Sequence, residues 1–214
     1  MERIICLIVG YLCGLIQSGY FCGRMHKIDI REHGSGNSGT TNALRVMGPK
    51  VGIVVFFSDF LKSLLPCLVV RIVFSNQPEM IYLLILYTGL GVILGHNYPF
   101  YLQFKGGKGI AATAGLIVAA DLRMTLLCMI AFLLIVLITR YVSLGSLVVA
   151  IIFFVWLFIF AKMGAYGLDS RLLPEFYIVA ALISGLAFWR HKTNIVRLIH
   201  GHENKMSFGS GKTK

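Results

Sequence analysis

GSGNSGTTNALR, Gly34 to Arg45, lies between two long apolar runs and ends on an arginine. Its twelve residues hold three glycines, two serines, two threonines and two asparagines. Glycine lets a chain turn tightly and come close to a ligand. Hydroxyls and amides supply hydrogen-bond donors and acceptors, and successive backbone N–H groups in such a loop form a nest for an anion. A loop of this kind between membrane-length runs marks a chain that threads a bilayer and gathers phosphate at its surface.

The composition agrees. Of 214 residues, 57% are hydrophobic and only 14% charged, with a mean hydropathy of +0.79. Soluble domains average about 45–50% apolar and about 25% charged. The apolar runs are continuous rather than alternating, which argues against an outer-membrane barrel. The net charge of +11 suits a nucleic acid, an anionic lipid or an anionic substrate. Because the charges avoid the apolar runs and collect in particular loops, the sequence points to lipid and substrate and not to nucleic acid. The five cysteines, Cys6, Cys13, Cys22, Cys67 and Cys128, all lie in or beside apolar runs and form no C-x-x-C pair, so they read as small buried apolar residues.

Seven apolar runs predict an all-α integral membrane protein of seven transmembrane helices in a single domain, 1–214. The spans fall at about 4–21, 51–73, 80–94, 110–120, 124–139, 142–161 and 172–189. The first is read as a retained helix rather than a signal peptide. Pro66 is placed to kink the second and Pro174 to start the seventh. The fourth run is short, since eleven helical residues cover only about 16 Å. It either begins within the preceding glycine-rich loop or is re-entrant and shielded by protein. With seven spans, the odd loops and the C-terminal tail share one side and carry fourteen Lys and Arg, against five on the other side. The positive-inside rule then puts the N-terminus outside and the C-terminus in the cytoplasm. All six histidines fall on the cytoplasmic side in this arrangement.

Inside the second span, Asp59 and Lys62 are three residues apart and share a helix face. Opposite charges at membrane depth are costly unless paired or facing a wet cavity. They either pair and fix the bundle or support the polar site from below. The second polar stretch, GHNYPFYLQFKGGKG from Gly95 to Gly109, contains His96 and two lysines flanking bare glycine backbone ahead of a helix, which is an anion site in waiting. A lipid-headgroup anchor is the plainer reading. The third stretch opens on Arg190, His191, Asn194 and Arg197. If the seventh helix continues, Arg190, Asn194 and Arg197 share one face; an amphipathic helix lying on acidic lipid is the alternative. Tyr141, Ser143 and Ser146 mark the remaining cytoplasmic loop.

Other motifs fail on context. Gly34, Gly36 and Gly39 match G-x-G-x-x-G with Asp59 twenty residues on, but no βαβ unit surrounds them. Gly209 to Thr213 reads GSGKT, but Met206 stands where a P-loop needs its first glycine. No G-x-S-x-G elbow occurs. Cytoplasmic carboxylates are few (Asp29, Glu32 and Glu203), so neither a metal cage nor a triad has support.

Read together, GSGNSGTTNALR, GHNYPFYLQFKGGKG and RHKTNIVRLIHGHENK resemble the three signature loops of the bacterial acyl-phosphate:glycerol-3-phosphate acyltransferase family, PlsY. Asp59, Lys62 and the stretch Tyr141-Val142-Ser143-Leu144 are similar to that family as well. The resemblance implies transfer of a fatty acyl group from acyl phosphate to the 1-hydroxyl of glycerol 3-phosphate, yielding lysophosphatidic acid and phosphate. It implies a bacterial inner membrane, an active site on the cytoplasmic face, and no cofactor or metal. On that reading Ser35, Asn37, Thr41, Asn42 and Arg45, with Gly34, Gly36 and Gly39, form one phosphate cradle. Lys105, Gly106, Gly107, Lys108 and Gly109, joined by Arg197, form another. Arg45 and Lys105 are expected to hold the glycerol 3-phosphate headgroup. Ser143, His191 and Asn194 would orient the reacting groups, with Asp59, Lys62 and His96 in support. The proton would leave through His191 or pass to a substrate phosphate oxygen, the latter preferred because no carboxylate obviously partners His191. A small transporter of an organic phosphate is the alternative, and a lipid-binding scaffold without chemistry a weaker third.

Overall fold

A computed structural model describes residues 1–206, which form ten α-helices and no β-strand. The GSGKT stretch at Gly209–Thr213 lies outside the described residues. The helices are α1 (Glu2–Gly14), α2 (Ser18–Met25), α3 (Thr40–Met47), α4 (Pro49–Val73), α5 (Ile81–Asn97), α6 (Ile110–Ala120), α7 (Leu122–Thr139), α8 (Val142–Lys162), α9 (Leu173–Arg190) and α10 (Lys192–Ile199). Six stretches are long and apolar enough to cross a membrane: Glu2–Met25, Pro49–Val73, Ile81–Leu102, Leu122–Thr139, Val142–Lys162 and Ser170–Arg190. Ile110–Ala120 is shorter. Pro66 sits inside α4, which continues on both sides, and Pro174 stands in the first turn of α9.

The bundle is built around α5, of whose seventeen residues thirteen are buried. Against it, α1 packs backbone to backbone. Gly10 and Gly14 of α1 face the carbonyls of Thr88 and Val92, while Gly91 and Gly95 of α5 face those of Leu7 and Tyr11. A Cβ at any of the four would overlap a backbone oxygen. These are two interlocked G-x-x-x-G pairs, the arrangement that lets helices associate where lipid offers no hydrophobic drive. By contrast, α7 buries only Met124, Cys128 and Val136 and turns most of its apolar surface outward.

The first span is not one helix. The run over 4–21 breaks at Leu15–Gln17, between α1 and α2, and no backbone N–H among the described residues reaches the carbonyls of Gly14, Leu15 or Ile16. Three side chains answer them. Gln17 Nε2 donates to Gly14 O (3.3 Å), Tyr101 Oη to Leu15 O (2.6 Å) and Lys62 Nζ to Ile16 O (2.6 Å). Lys62 also donates to Asp59 Oδ1 (2.8 Å) and His96 Nδ1 (2.7 Å), so all three ammonium protons are placed. Asp59 Oδ1 further accepts from Ser18 Oγ (3.1 Å). The bundle-fixing reading of the Asp59–Lys62 pair therefore describes this cluster: the charges pair with each other, and they tie α4 to the end of α5.

The fourth run is helical over the expected residues and is short for a visible reason. Gly115 of α6 lies against the Phe60 carbonyl of α4, and Arg71 of α4 donates to Ala119 O (2.7 Å) and Ala120 O (3.3 Å), closing the C-terminus of α6. The two helices run parallel. Counting back from Gly115, α6 begins about level with Val55, roughly 9 Å inside the start of α4. The loop before it is sunk into the bundle. At the far end Asp121 caps α7 and accepts from Arg123, Trp156 Nε1 (3.2 Å) and Tyr166 Oη (3.1 Å). Burial opposes its charge, yet these bonds hold its carboxyl down at about 2.

Lys62→Met keeps the length of the side chain but leaves the Asp59 carboxylate and Ile16 O buried without their donor. The expected loss is about 3–5 kcal/mol, the usual cost of removing one partner of a buried pair. Adding Asp59→Asn should recover part of it. The unfolding midpoint in detergent measures both, and an unchanged midpoint in Lys62→Met would contradict the role given to this ammonium.

Candidate active site

The three polar stretches converge at one end of the bundle around a cavity of about 570 Å³. Ser35, Gly36 and Asn37 line it from the first stretch, Lys105, Gly106 and Lys108 from the second, and Arg190, Asn194 and Arg197 from the third. Asp29 and Arg31 also reach its wall. Arg31 grips Asp29 through Nε and Nη2 (2.6–3.2 Å), and these bonds lower the Asp29 carboxyl to about 2.

The first loop is shaped by two left-handed glycines, Gly34 (φ +61°) and Gly36 (φ +70°). Asn42, expected as a phosphate ligand, instead holds this loop. Its Nδ2 donates to Ile30 O (3.2 Å) and His33 O (3.0 Å), and its Oδ1 accepts from Ser35 N (2.9 Å). The amide is fully engaged at 2% exposure and has nothing left for a ligand. Gly39 N is spent on Asn37 Oδ1 (2.8 Å) and Gly36 N on His33 O (3.1 Å). The N–H groups of Asn37, Ser38, Thr40 and Thr41 remain without a partner among the described residues. They lead into α3, whose N-terminus favours an anion. Thr41 and Arg45 are exposed and do not line the cavity, although the charge of Arg45 is felt at Lys108.

The second loop corrects a further expectation. Gly106 N donates to Asn97 O (3.2 Å) and Gly107 N to His96 O (3.1 Å), so these two N–H groups are not free for phosphate. Their carbonyls accept from Arg190, whose Nη2 reaches Gly106 O (2.8 Å) and Gly107 O (2.8 Å) and whose Nε reaches Gly107 O (3.0 Å). The glycines are needed for close packing: a Cβ at Gly106 would overlap the His96 carbonyl, and one at Gly107 the His96 imidazole. Donors available in this loop begin one residue later. Lys108, Gly109 (φ +80°) and the first three residues of α6 have unpaired N–H groups among the described residues. Lys105 is exposed, lines the cavity and makes no side-chain bond there.

In the third stretch α9 stops at Arg190 and α10 restarts at Lys192, so Arg190, Asn194 and Arg197 do not extend one helix face. Arg190 serves the glycine loop. Asn194 Nδ2 (2.8 Å) and Arg197 Nε (2.9 Å) both donate to Glu203, while Lys108 Nζ donates to Asn194 Oδ1. Glu203 is the partner that residue types alone do not single out; its only signal in the sequence is that carboxylates are rare in the polar stretches. Met206 N, donating to Arg140 O (2.8 Å), holds this segment against the start of α8. Burial lowers the Lys108 ammonium to about 8, with Glu203 opposing and Arg197, Arg190 and Arg45 assisting. His191 is buried, its Nδ1 bonds Ala187 O (2.7 Å), and burial followed by the Lys108 charge lowers it to about 4. Ser143 lies in the first turn of α8 with its hydroxyl buried and unpartnered. Ser143, His96 and His191 are buried and do not line the cavity. No cluster of metal ligands occurs among the described residues.

A cationic cavity fed by three loops of an apolar helical bundle defines a membrane enzyme for anionic substrates. The glycerol-3-phosphate acyltransferase family model matches residues 4–201. Glycerol-3-phosphate acyltransferases of Shouchella clausii and Aquifex aeolicus are 39% and 36% identical, each over 96% of this chain and over 97% and 100% of their own. A crystal structure of PlsY, an integral membrane glycerol 3-phosphate acyltransferase, in its glycerol 3-phosphate form superposes with a TM-score of 0.82 at 36% identity, covering 97% of this chain and 96% of that one. Its lysophosphatidic acid form gives 0.79 at 35%. The chain belongs to the glycerol-3-phosphate acyltransferase family. It is an integral membrane acyltransferase of phospholipid synthesis, and the transporter and scaffold readings fall with that membership.

Lys108 carries its charge below about pH 8 in the free enzyme and loses it above. Since kcat/KM reports groups of the free enzyme, it should fall for an anionic substrate as pH rises through about 8. That limb should be absent in Lys108→Met. A limb that persists unchanged in Lys108→Met would exclude Lys108 as its source.

Proposed function

We propose that the acyl donor is an acyl phosphate and the acceptor the 1-hydroxyl of glycerol 3-phosphate. The hydroxyl oxygen bonds to the acyl carbon, the carbon–oxygen bond to phosphate breaks, and the hydroxyl proton leaves with the departing phosphate. The products are lysophosphatidic acid and inorganic phosphate. An acyl phosphate is already activated, so no covalent enzyme intermediate is required. What the enzyme supplies is the approach of two anions and stabilisation of the leaving group.

The cavity carries this reading. Lys105 is a cation on its wall with no side-chain hydrogen bond among the described residues, and the charge of Arg45 is felt at Lys108; both are assigned to the glycerol 3-phosphate headgroup. Ser35, Asn37, Thr41 and the N–H groups entering α3 form one cradle. Lys108, Gly109 and the start of α6 form the other, with Arg197 beside it. Asn194, held by Glu203, orients Lys108. His191, at about 4, is a weak base at neutral pH, which favours proton transfer to substrate phosphate. Ser143 supplies a buried hydroxyl.

Trp189 joins the cavity to a second groove, lined by Ile178, Ala181, Leu182, Gly185, Leu186 and Trp189 on the outward face of α9. An acyl chain arriving from lipid would lie there with its phosphate in the cavity. The topology proposed is seven spans in one domain, α6 being the short fourth. It puts the N-terminus outside, the site on the cytoplasmic face, and the protein in a bacterial inner membrane. Six long apolar stretches, the sunken start of α6 and the loop charges support it.

Purified protein given palmitoyl phosphate and labelled glycerol 3-phosphate should form labelled lysophosphatidic acid, and palmitoyl-CoA should give none. Lys105→Ala should weaken glycerol 3-phosphate use by about 1.5–3 kcal/mol. Product from palmitoyl-CoA would overturn the donor, and an unchanged KM the headgroup assignment. A side chain at Gly185 meets open space. Gly185→Leu should therefore fill the groove and lower kcat/KM for palmitoyl phosphate several-fold more than for octanoyl phosphate. Equal losses would remove the acyl chain from this groove.

A further inference from the structure

Gln17 is 1% exposed, and nothing in the chemistry above uses it. It opens α2 without capping it: its side chain bonds none of the N–H groups of that helix. The amide turns instead toward both phosphate loops. The two Nε2 protons are shared among His96 O (3.1 Å), Gly95 O (3.3 Å) and Gly14 O (3.3 Å), and Oε1 accepts from Ser38 Oγ (3.2 Å). Ser38, itself buried, lies between Asn37 on the cavity wall and the start of α3. His96 O is the same carbonyl that accepts from Gly107 N. One buried amide thus spans from the first loop to the carbonyl on which the second loop hangs.

We propose that Gln17 is a positioning residue that sets the separation between the two phosphate loops, and with it the distance between acyl donor and acceptor. The proposal rests on the reading of these loops as the two cradles. Two anions held side by side gain nothing from each loop alone; the reacting atoms must meet at about 3–3.5 Å, where an ångström of misplacement costs about a hundredfold. Gly19 of α2 supports the same seam, since its Cα faces the Ser38 carbonyl so closely that a Cβ would overlap it. The break in the first span is then a joint with a function: it places Gln17 at the start of α2, where its carbonyl accepts from Phe21 N (3.0 Å) and its side chain turns to the two loops.

The test is steady-state kinetics on Gln17→Leu, Ser38→Ala and the double variant, with both substrates varied and the unfolding midpoint measured alongside. Each single variant should lower kcat at least tenfold while both KM values move less than threefold; the midpoint of Ser38→Ala should stay near that of the parent, whereas that of Gln17→Leu, which strips the Gly14 carbonyl of its donor, should fall. The double variant should be no worse than the worse single, because both break one contact chain. Ser38→Thr, which keeps the hydroxyl, should restore kcat. Should Gln17→Leu not fold, Ser38→Ala gives the reading alone. An unchanged kcat in folded variants, multiplied losses in the double, or a fall in the Ser38→Ala midpoint that accounts for its lost activity overturns the proposal. A parent protein that transfers no acyl group from acyl phosphate would instead count against the reaction assigned above.

Discussion

Three backbone carbonyls at Gly14, Leu15 and Ile16 have lost their helical donors, and the polar end of this protein is arranged around satisfying them. In an apolar medium an unpaired carbonyl costs several kcal/mol, so a broken membrane helix persists only where side chains replace the missing N–H groups. The replacements come from three places: Gln17 at the break itself, Lys62 on α4 and Tyr101 in the loop after α5. Each recruit brings its own element with it. Lys62 brings Asp59 and His96, and Gln17 brings Ser38. Satisfying one break therefore fixes the relative heights of α4, α5 and both glycine-rich loops.

The cations at this end divide by task. Arg190 and Arg31 are committed to holding protein groups, the first to two glycine carbonyls and the second to Asp29. Arg197 is shared, donating to Glu203 while still reaching the cavity wall. Among the described residues the Lys105 side chain has no hydrogen-bond partner, and that of Lys108 bonds the neutral Asn194 oxygen. Guanidinium groups suit the fixed tasks because their donors are planar and rigid, whereas an ammonium on a flexible stem follows a phosphate through reaction. Burial, assisted by the charges of Arg197, Arg190 and Arg45, leaves Lys108 less firmly protonated than a surface lysine.

Glycine has two separate uses here. In the first loop, Gly34 and Gly36 take positive φ to turn the chain. In α1 and α5, and at Gly106 and Gly107, the backbone is ordinary and the missing Cβ is what matters, because a carbonyl or an imidazole occupies its place. The second use explains why KGGKG does not present bare N–H groups at its glycines: close approach consumes them, and the free donors shift to Lys108 and the start of α6.

Hydropathy and charge in the sequence were enough to read an all-helical membrane chain and its polar loops, and the resemblance of three of those loops to one family's joined Ser35, Asn37, Lys105, Lys108, Asn194 and Arg197. Apolar runs must bury or face lipid, and polar loops between them have few places to go. The i,i+3 spacing of Asp59 and Lys62 likewise announced a pair, since helix geometry alone puts them on one face. The break in the first span was not legible, because Ile4 to Phe21 is apolar enough to be one helix and only the carbonyl partners on α4 and beyond make two helices possible. Nor were the turn of Asn42 into the protein, the spending of Gly106 and Gly107 on α5, or the service of Glu203 to Asn194 and Arg197. Composition and periodicity determine which residues stand at the polar end. Which of their donors face a ligand is decided by hydrogen bonds between segments far apart in the chain, and those exist only once the tertiary structure has brought the segments together.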